Sequence, residues 1–156
     1  MKQFYSGIDL GSRESHICVI NEDDKKLVDM KVDNDLSTIE ALLSPYKRRL
    51  QVVVESTFNW DWIVYGLQDR GYDVKLAHVL GLKAITWSKK KTDKWDAFIL
   101  ARLLRSRMIP EAYIYPKETR PLRELLRDRM RLSQKRASEY GSNKQDASEA
   151  QHSGLQ

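Results

Sequence analysis

The sequence predicts an α/β fold: a mixed sheet with flanking helices, followed by a C-terminal Arg-rich helix. Two observations carry that expectation. The N-terminal part of the chain holds three short strand-like runs separated only by turns, and the middle then switches to apolar runs separated by stretches of helical period. Short turns give antiparallel neighbours, whereas strand–helix–strand alternation gives parallel crossovers covering the sheet.

Residues 4–9 (FYSGID) read as a short buried strand that ends at a Gly-containing turn, GSRES. Residues 15–20 (SHICVI) are β-branched and alternating, NEDDKK is a turn by composition, and 26–32 (KLVDMKV) alternates as a third strand. The period then changes. Leu36, Ile39, Leu42 and Leu43 share one helical face, with Asp35 or Ser37 as N-cap and Pro45 limiting continuation. Residues 50–54 (LQVVV) read as a buried strand ending at Glu55, 59–70 as a helix stopped by Gly71, and 73–77 (DVKLA) as a further strand. A meander followed by βαβ units is the order found in RNase H-like folds, which is therefore the expected fold.

After the apolar segment VLGLKAITW and a lysine run, 92–107 reads as a helix capped by Thr92 and ended by Pro110. Its stripe is Ala97, Leu100, Ala101 and Leu104. Residues 119–136 read as a second long helix, rich in Arg and opened by Pro121 near its first turn. From Ala137 the apolar pattern vanishes and disorder is expected. The expected organisation is a domain over 1–116, a helical connector over 117–136 that starts a coiled coil, and a disordered tail over 137–156.

A length of 156 residues suits one compact domain. Apolar content of 41% and charged content of 31% exclude a membrane protein and a wholly disordered chain. No apolar run approaches the roughly 18–20 residues of a membrane helix, and the N-terminus lacks a signal-peptide layout. The single cysteine, Cys18, reads as a core residue and suits a reducing, cytoplasmic location. A net charge of +5 with a pI near 9.3 mildly favours a polyanionic partner. The distribution says more: positive charge concentrates at 88–94 and 117–136, while 21–40 is mostly acidic.

Four acids stand at informative places. Asp9 ends the first strand and Glu55 ends a strand expected to be central, where catalytic groups of open α/β sheets gather. Asp93 and Asp96, three apart, fall on one face at the start of the 92–107 helix, in line with its apolar stripe. Each has an ordinary alternative: a turn cap for Asp9, a solvated loop for Glu55, helix-dipole residues for the pair. Together they match phosphodiester chemistry, which uses two Mg²⁺ ions about 3.5–4 Å apart on hard oxygen ligands. His16, His78 and His152 lack zinc-ligand spacing.

Lys89, Lys90 and Lys91 lead into the acidic helix, which continues with Lys94, Arg102, Arg105 and Arg107. They form a track for a phosphate backbone or, alternatively, a solvated charged face. Phe58, Trp60 and Trp62 could stack on bases, although anchoring a helix to the sheet is the favoured reading. On the 120–136 helix, Leu122, Leu125, Leu126 and Met130 form a stripe suited to pairing with a second helix in a homodimer.

The chain resembles the N-terminal domain of IS110-type (DEDD) transposases. The matching pieces are GIDLGSRES around Asp9, VVVESTFNWDW around Glu55, KKTDKWDAFILARLLR with Asp93 and Asp96, and IPEAYIYPKETRPLRELLRDRMRL. The resemblance spans about residues 4–136 and implies a RuvC-like site made by the four acids. It further implies DNA recombination that moves a mobile element, Mg²⁺ (Mn²⁺ as a substitute), DNA as partner and, in some members, a structured guide RNA. It also implies a later serine-bearing domain, so the expectation is a truncated first domain, with activity of this chain alone left open. A non-catalytic nucleic-acid-binding remnant is the alternative. GIDLGS also resembles the first phosphate loop of actin-like ATPases, but no second phosphate loop or Gly-rich adenosine motif accompanies it.

Overall fold

The structure is a computed structural model that describes residues 3–57, 59–85 and 93–153, with side chains for all of these except 93 and 141–153. The chain divides into two units, Met1–Ile114 and Tyr115–Gln156. In the first unit the expected meander forms β1 (Phe4–Leu10), β2 (Glu14–Asn21) and β3 (Lys26–Asp33). Both β1–β2 and β2–β3 are antiparallel. Helix α1 (Leu36–Leu43) follows, its first turn closed by Asp35, whose carboxylate accepts from the Thr38 N–H at 2.7 Å. Pro45 starts a short 3-10 segment, Ser44–Arg49, which leads into β4 (Leu50–Glu55).

Beyond β4 come α2 (Asp61–Asp69), β5 (Asp73–Ala77) and α3 (Val79–Ile85). Gly71, with φ of 78°, makes the left-handed turn between α2 and β5 that only glycine adopts cheaply. Helix α4 (Asp93–Arg105) and a two-residue strand β6 (Glu111–Ala112) complete the unit. Sequence reading did not reach β6, because two residues show no period, nor did it assign α3. The six strands form one sheet in the order β3-β2-β1-β4-β5-β6, with β1–β4 and β4–β5 parallel. This is the RNase H-like arrangement expected from the element order.

Strand alternation sends side chains to two separate cores. Ile8, Ile17, Val52 and Val54 face α1 and α2 in the larger one. Cys18, Ile20 and Val53 face α4, against Ala97, Leu100, Ala101 and Leu104, so the expected stripe of that helix is its buried side. Ser6 is fully buried between Val19 and Val52, and its hydroxyl has no hydrogen-bond partner among the described residues. Ser6→Ala is therefore expected to raise stability by about 1 kcal/mol, read as a higher urea midpoint at unchanged slope.

In the second unit, α5 runs from Arg120 to Ser153. Residues 137–153, expected to be disordered, continue this helix. They contain no proline and one glycine, and helix propagation adds a hydrogen bond per residue without needing an apolar face. Leu122, Leu125, Leu126 and Met130 are exposed along it. The Arg123 guanidinium lies 3.8 Å over the Tyr115 ring. Among the described residues no helix is long and apolar enough to cross a membrane.

Candidate active site

Ile8 of β1 pairs with Val54 of β4, so Asp9 and Glu55 stand one residue further on, at the C-terminal ends of adjacent parallel strands. Gly7 packs against the backbone of α4, and Val53 clusters with Leu100 and Leu104 of the same helix. Because alternate strand residues share a face, Asp9 and Glu55 also belong to the α4 side. Both are half-buried.

The direction of α4 follows from its far end. Arg105 donates to the Glu22 carbonyl at 3.0 Å and to Asp24 at 3.0 Å, both in the β2–β3 turn. That turn lies at the start of β1, where Phe4 pairs with Asn21. Helix α4 therefore runs opposite to β1 and brings its first turn, Asp93–Asp96, over the strand end that carries Asp9. Asp96 is half-buried beside the fully buried Ala97.

Among the described residues no three His, Cys, Asp or Glu side chains are close enough together to hold a metal ion. The side chain of Asp93 lies outside that description. The donor type of Asp9, Glu55, Asp93 and Asp96 suits a hard divalent cation, since each offers carboxylate oxygen. Two residues beyond Glu55, the Thr57 hydroxyl is buried and has no hydrogen-bond partner among the described residues.

The family model for DEDD transposases of IS110 type, described as transposase, matches residues 6–148. The chain belongs to this transposase family. The match runs past Arg136, to which the sequence resemblance extends, and so takes in most of α5. No curated protein matches the chain. Among solved structures it is similar to RuvC of Thermus thermophilus, in complex with a Holliday junction substrate and alone. Each shows 14% identity and a TM-score of 0.48 over 70% of this chain, covering 99% and 100% of the RuvC chain respectively. A ROK family transcriptional regulator, homologous to the MLC protein of E. coli, is similar over 53% of this chain and 30% of its own, at 14% identity and a TM-score of 0.35.

The remaining expected residues of this transposase domain separate along α4. Lys89, Lys90, Lys91, Thr92 and Phe58 lie outside the described residues. Lys94 is present at the first turn, its ammonium 3.2 Å from Asp29. Arg102 and Arg105 sit at the opposite end, at 3.3 Å and 2.8 Å from Asp24. They fasten the helix to the β2–β3 turn, about two to three helical turns from the acids. Trp60 and Trp62 pack against the larger core, consistent with an anchoring role. Cys18 is buried in the smaller core, and that burial pushes its thiol up to about 11.

Sequence reasoning missed a polar cluster beside the acids. Asp29 on β3 receives His16, Lys26 and Lys94 together. His16, Asp29 and Lys94 lie on β2, β3 and α4, and only Lys26 is near Asp29 in sequence, so no local motif could have shown the whole cluster. Burial works to raise the Asp29 pKa, but hydrogen bonds from His16, Lys26 and Lys94 outweigh it and hold the group down to about 2. A carboxylate depressed on folding stabilises the fold above its unfolded value of about 3.9 and loses that contribution as pH falls through about 2. The difference in urea midpoint between the native chain and Asp29→Asn is expected to be full above about pH 5 and to vanish near pH 2.

Proposed function

We propose that this domain processes DNA for a transposase, cleaving and exchanging strands at a site made by Asp9, Glu55, Asp93 and Asp96 with Mg²⁺, or Mn²⁺ in its place. The observation that carries the reading is the convergence of three elements of a transposase-family chain on one sheet edge. Asp9 and Glu55 end neighbouring parallel strands on the α4 side, and the first turn of α4 arrives above them. When bound, a metal pair would supply an activated nucleophile and stabilisation of the leaving oxygen. The protein's part is to hold both ions on hard carboxylate oxygens and to keep the acids on rigid elements, strand ends and a helix start. DNA is the partner this reading requires.

Lys89, Lys90, Lys91 and Lys94, next to the acids in sequence, would hold the phosphate backbone. The exposed Leu122, Leu125, Leu126 and Met130 of α5 follow helical spacing and would pair two copies of the chain. A structured guide RNA is a further partner of this reading. The experiment is Mn²⁺ titration with cleavage and strand exchange of branched DNA, comparing the native chain with Asp9→Asn. Metal-dependent cleavage lost in the variant supports the reading. Metal binding without cleavage would favour a non-catalytic nucleic-acid-binding domain, and metal binding untouched by Asp9→Asn would remove the site altogether.

A further inference from the structure

Asp29 gathers nitrogen groups from three elements. His16 Nε2 of β2 stands 2.7 Å from Oδ1, Lys26 Nζ of β3 is 3.0 Å from Oδ2, and Lys94 Nζ of α4 is 3.2 Å from the same oxygen. Only 17% of the Asp29 side chain is exposed, although β3 is an edge strand. His16 is a buried polar residue and the direct cross-strand partner of Asp9. Lys94 lies in the first turn of α4, two residues before Asp96.

Helix geometry connects these facts. Residues two apart on a helix are separated by about 200°, so Lys94 and Asp96 occupy opposite flanks of α4. The sheet runs β3-β2-β1-β4 beneath it. Lys94 reaches down to β3, so the other flank, with Asp96, is turned toward β4 and its terminal Glu55. The opposite end of the helix is held separately, through Arg102 and Arg105 to Asp24. A tie at each end fixes the rotation of α4 about its axis as well as its position.

We infer that Asp29 is a positioning residue for the acidic site: through Lys94 it fixes the rotation of the first turn of α4, and through His16 it braces the strand end that carries Asp9. The inference rests on the reading of Asp9, Glu55, Asp93 and Asp96 as the site. It differs from a purely structural ion cluster in what it affects. A structural cluster lowers global stability, whereas a positioning residue changes the geometry at one helix end and the affinity of the site for metal.

The test uses the full chain with Asp29→Ala, Lys94→Ala and the double variant, read by hydrogen exchange along α4 without metal and by Mn²⁺ titration. Lys94 is 63% exposed, so its substitution leaves the core intact. Exchange is expected to quicken in each variant at the amides of Ala97 and Phe98, which bond the first-turn carbonyls of α4, while amides near Leu104 keep their protection. Mn²⁺ affinity is expected to fall about tenfold in Asp29→Ala, less in Lys94→Ala, and no further in the double variant than in Asp29→Ala. Unchanged exchange at the start of α4, or affinity held within about twofold in Asp29→Ala, overturns the inference. If Asp9→Asn left Mn²⁺ binding intact, the reading of the site would fail instead. The exchange data would then still decide whether Asp29 fixes the helix.

Discussion

Gly7→Ala is expected to lower the stability of the domain by about 3 kcal/mol or to prevent folding, although alanine is ordinarily the better strand residue. A methyl group at Gly7 would overlap the Ala97 carbonyl oxygen and come within 2.7 Å of the Ala101 backbone nitrogen and 2.8 Å of Leu100 Cβ. Two of these neighbours are backbone, which cannot rotate away as a side-chain tip can. Ala97 and Ala101 are fully buried and small, so helix and strand have already approached as closely as their side chains allow. The helix must lift or rotate. Either movement exposes Leu100 and Leu104 and carries Asp96 away from Asp9 and Glu55. Chemical denaturation measures the first effect as a lower midpoint, and Mn²⁺ titration of whatever remains folded measures the second. An unchanged midpoint would mean that α4 does not sit on Gly7.

Substitution of the two strand-end acids is expected to separate stability from function. Asp9→Asn combined with Glu55→Gln removes two half-buried negative charges from adjacent strand ends. Neither substitution changes the size of a side chain or reaches the apolar core, so the metal-free variant is expected to melt close to the native temperature. With metal the two diverge. A ligand present at about 100 times its Kd stabilises the native chain by about 2.7 kcal/mol, and the variant gains none of it. Metal-dependent DNA cleavage is expected to disappear with the same substitutions. Thermal melts of both proteins with and without Mn²⁺ provide the check. A variant that melts lower without metal and retains its metal-induced shift would assign Asp9 and Glu55 to the fold.

Sequence by itself determined the order of the strands and α-helices of the first unit, all but α3 and β6, because period-two and 3.6-residue patterns are local properties of the chain. β1 to β5, α1, α2 and α4 all stand where those patterns placed them, and Asp35 caps α1 as one of its two candidates. Strand-end positions for Asp9 and Glu55 and a helix-start position for Asp93 and Asp96 were legible for the same reason. The family resemblance is legible in the same motifs, over about residues 4–136, and the family match extends to residue 148. The helical backbone past Arg136 has no apolar stripe to mark it.

Tertiary structure alone decided what is non-local. Sheet order and register put Asp9 beside Glu55 across 46 positions of sequence (55 − 9) and on the face that α4 covers. The antiparallel course of α4 over β1 is visible only where Arg102 and Arg105 reach Asp24, contacts that neither sequence alternative for these residues, a phosphate track or a solvated face, includes. Gly7 reads in sequence only as one residue of the first strand, and the close approach of Ala97 and Ala101 gives it a reason. The Asp29 cluster was invisible for the same cause. An ion pair is set by distance in space, and His16, Lys26 and Lys94 come within reach of one carboxylate only after β2, β3 and α4 have packed.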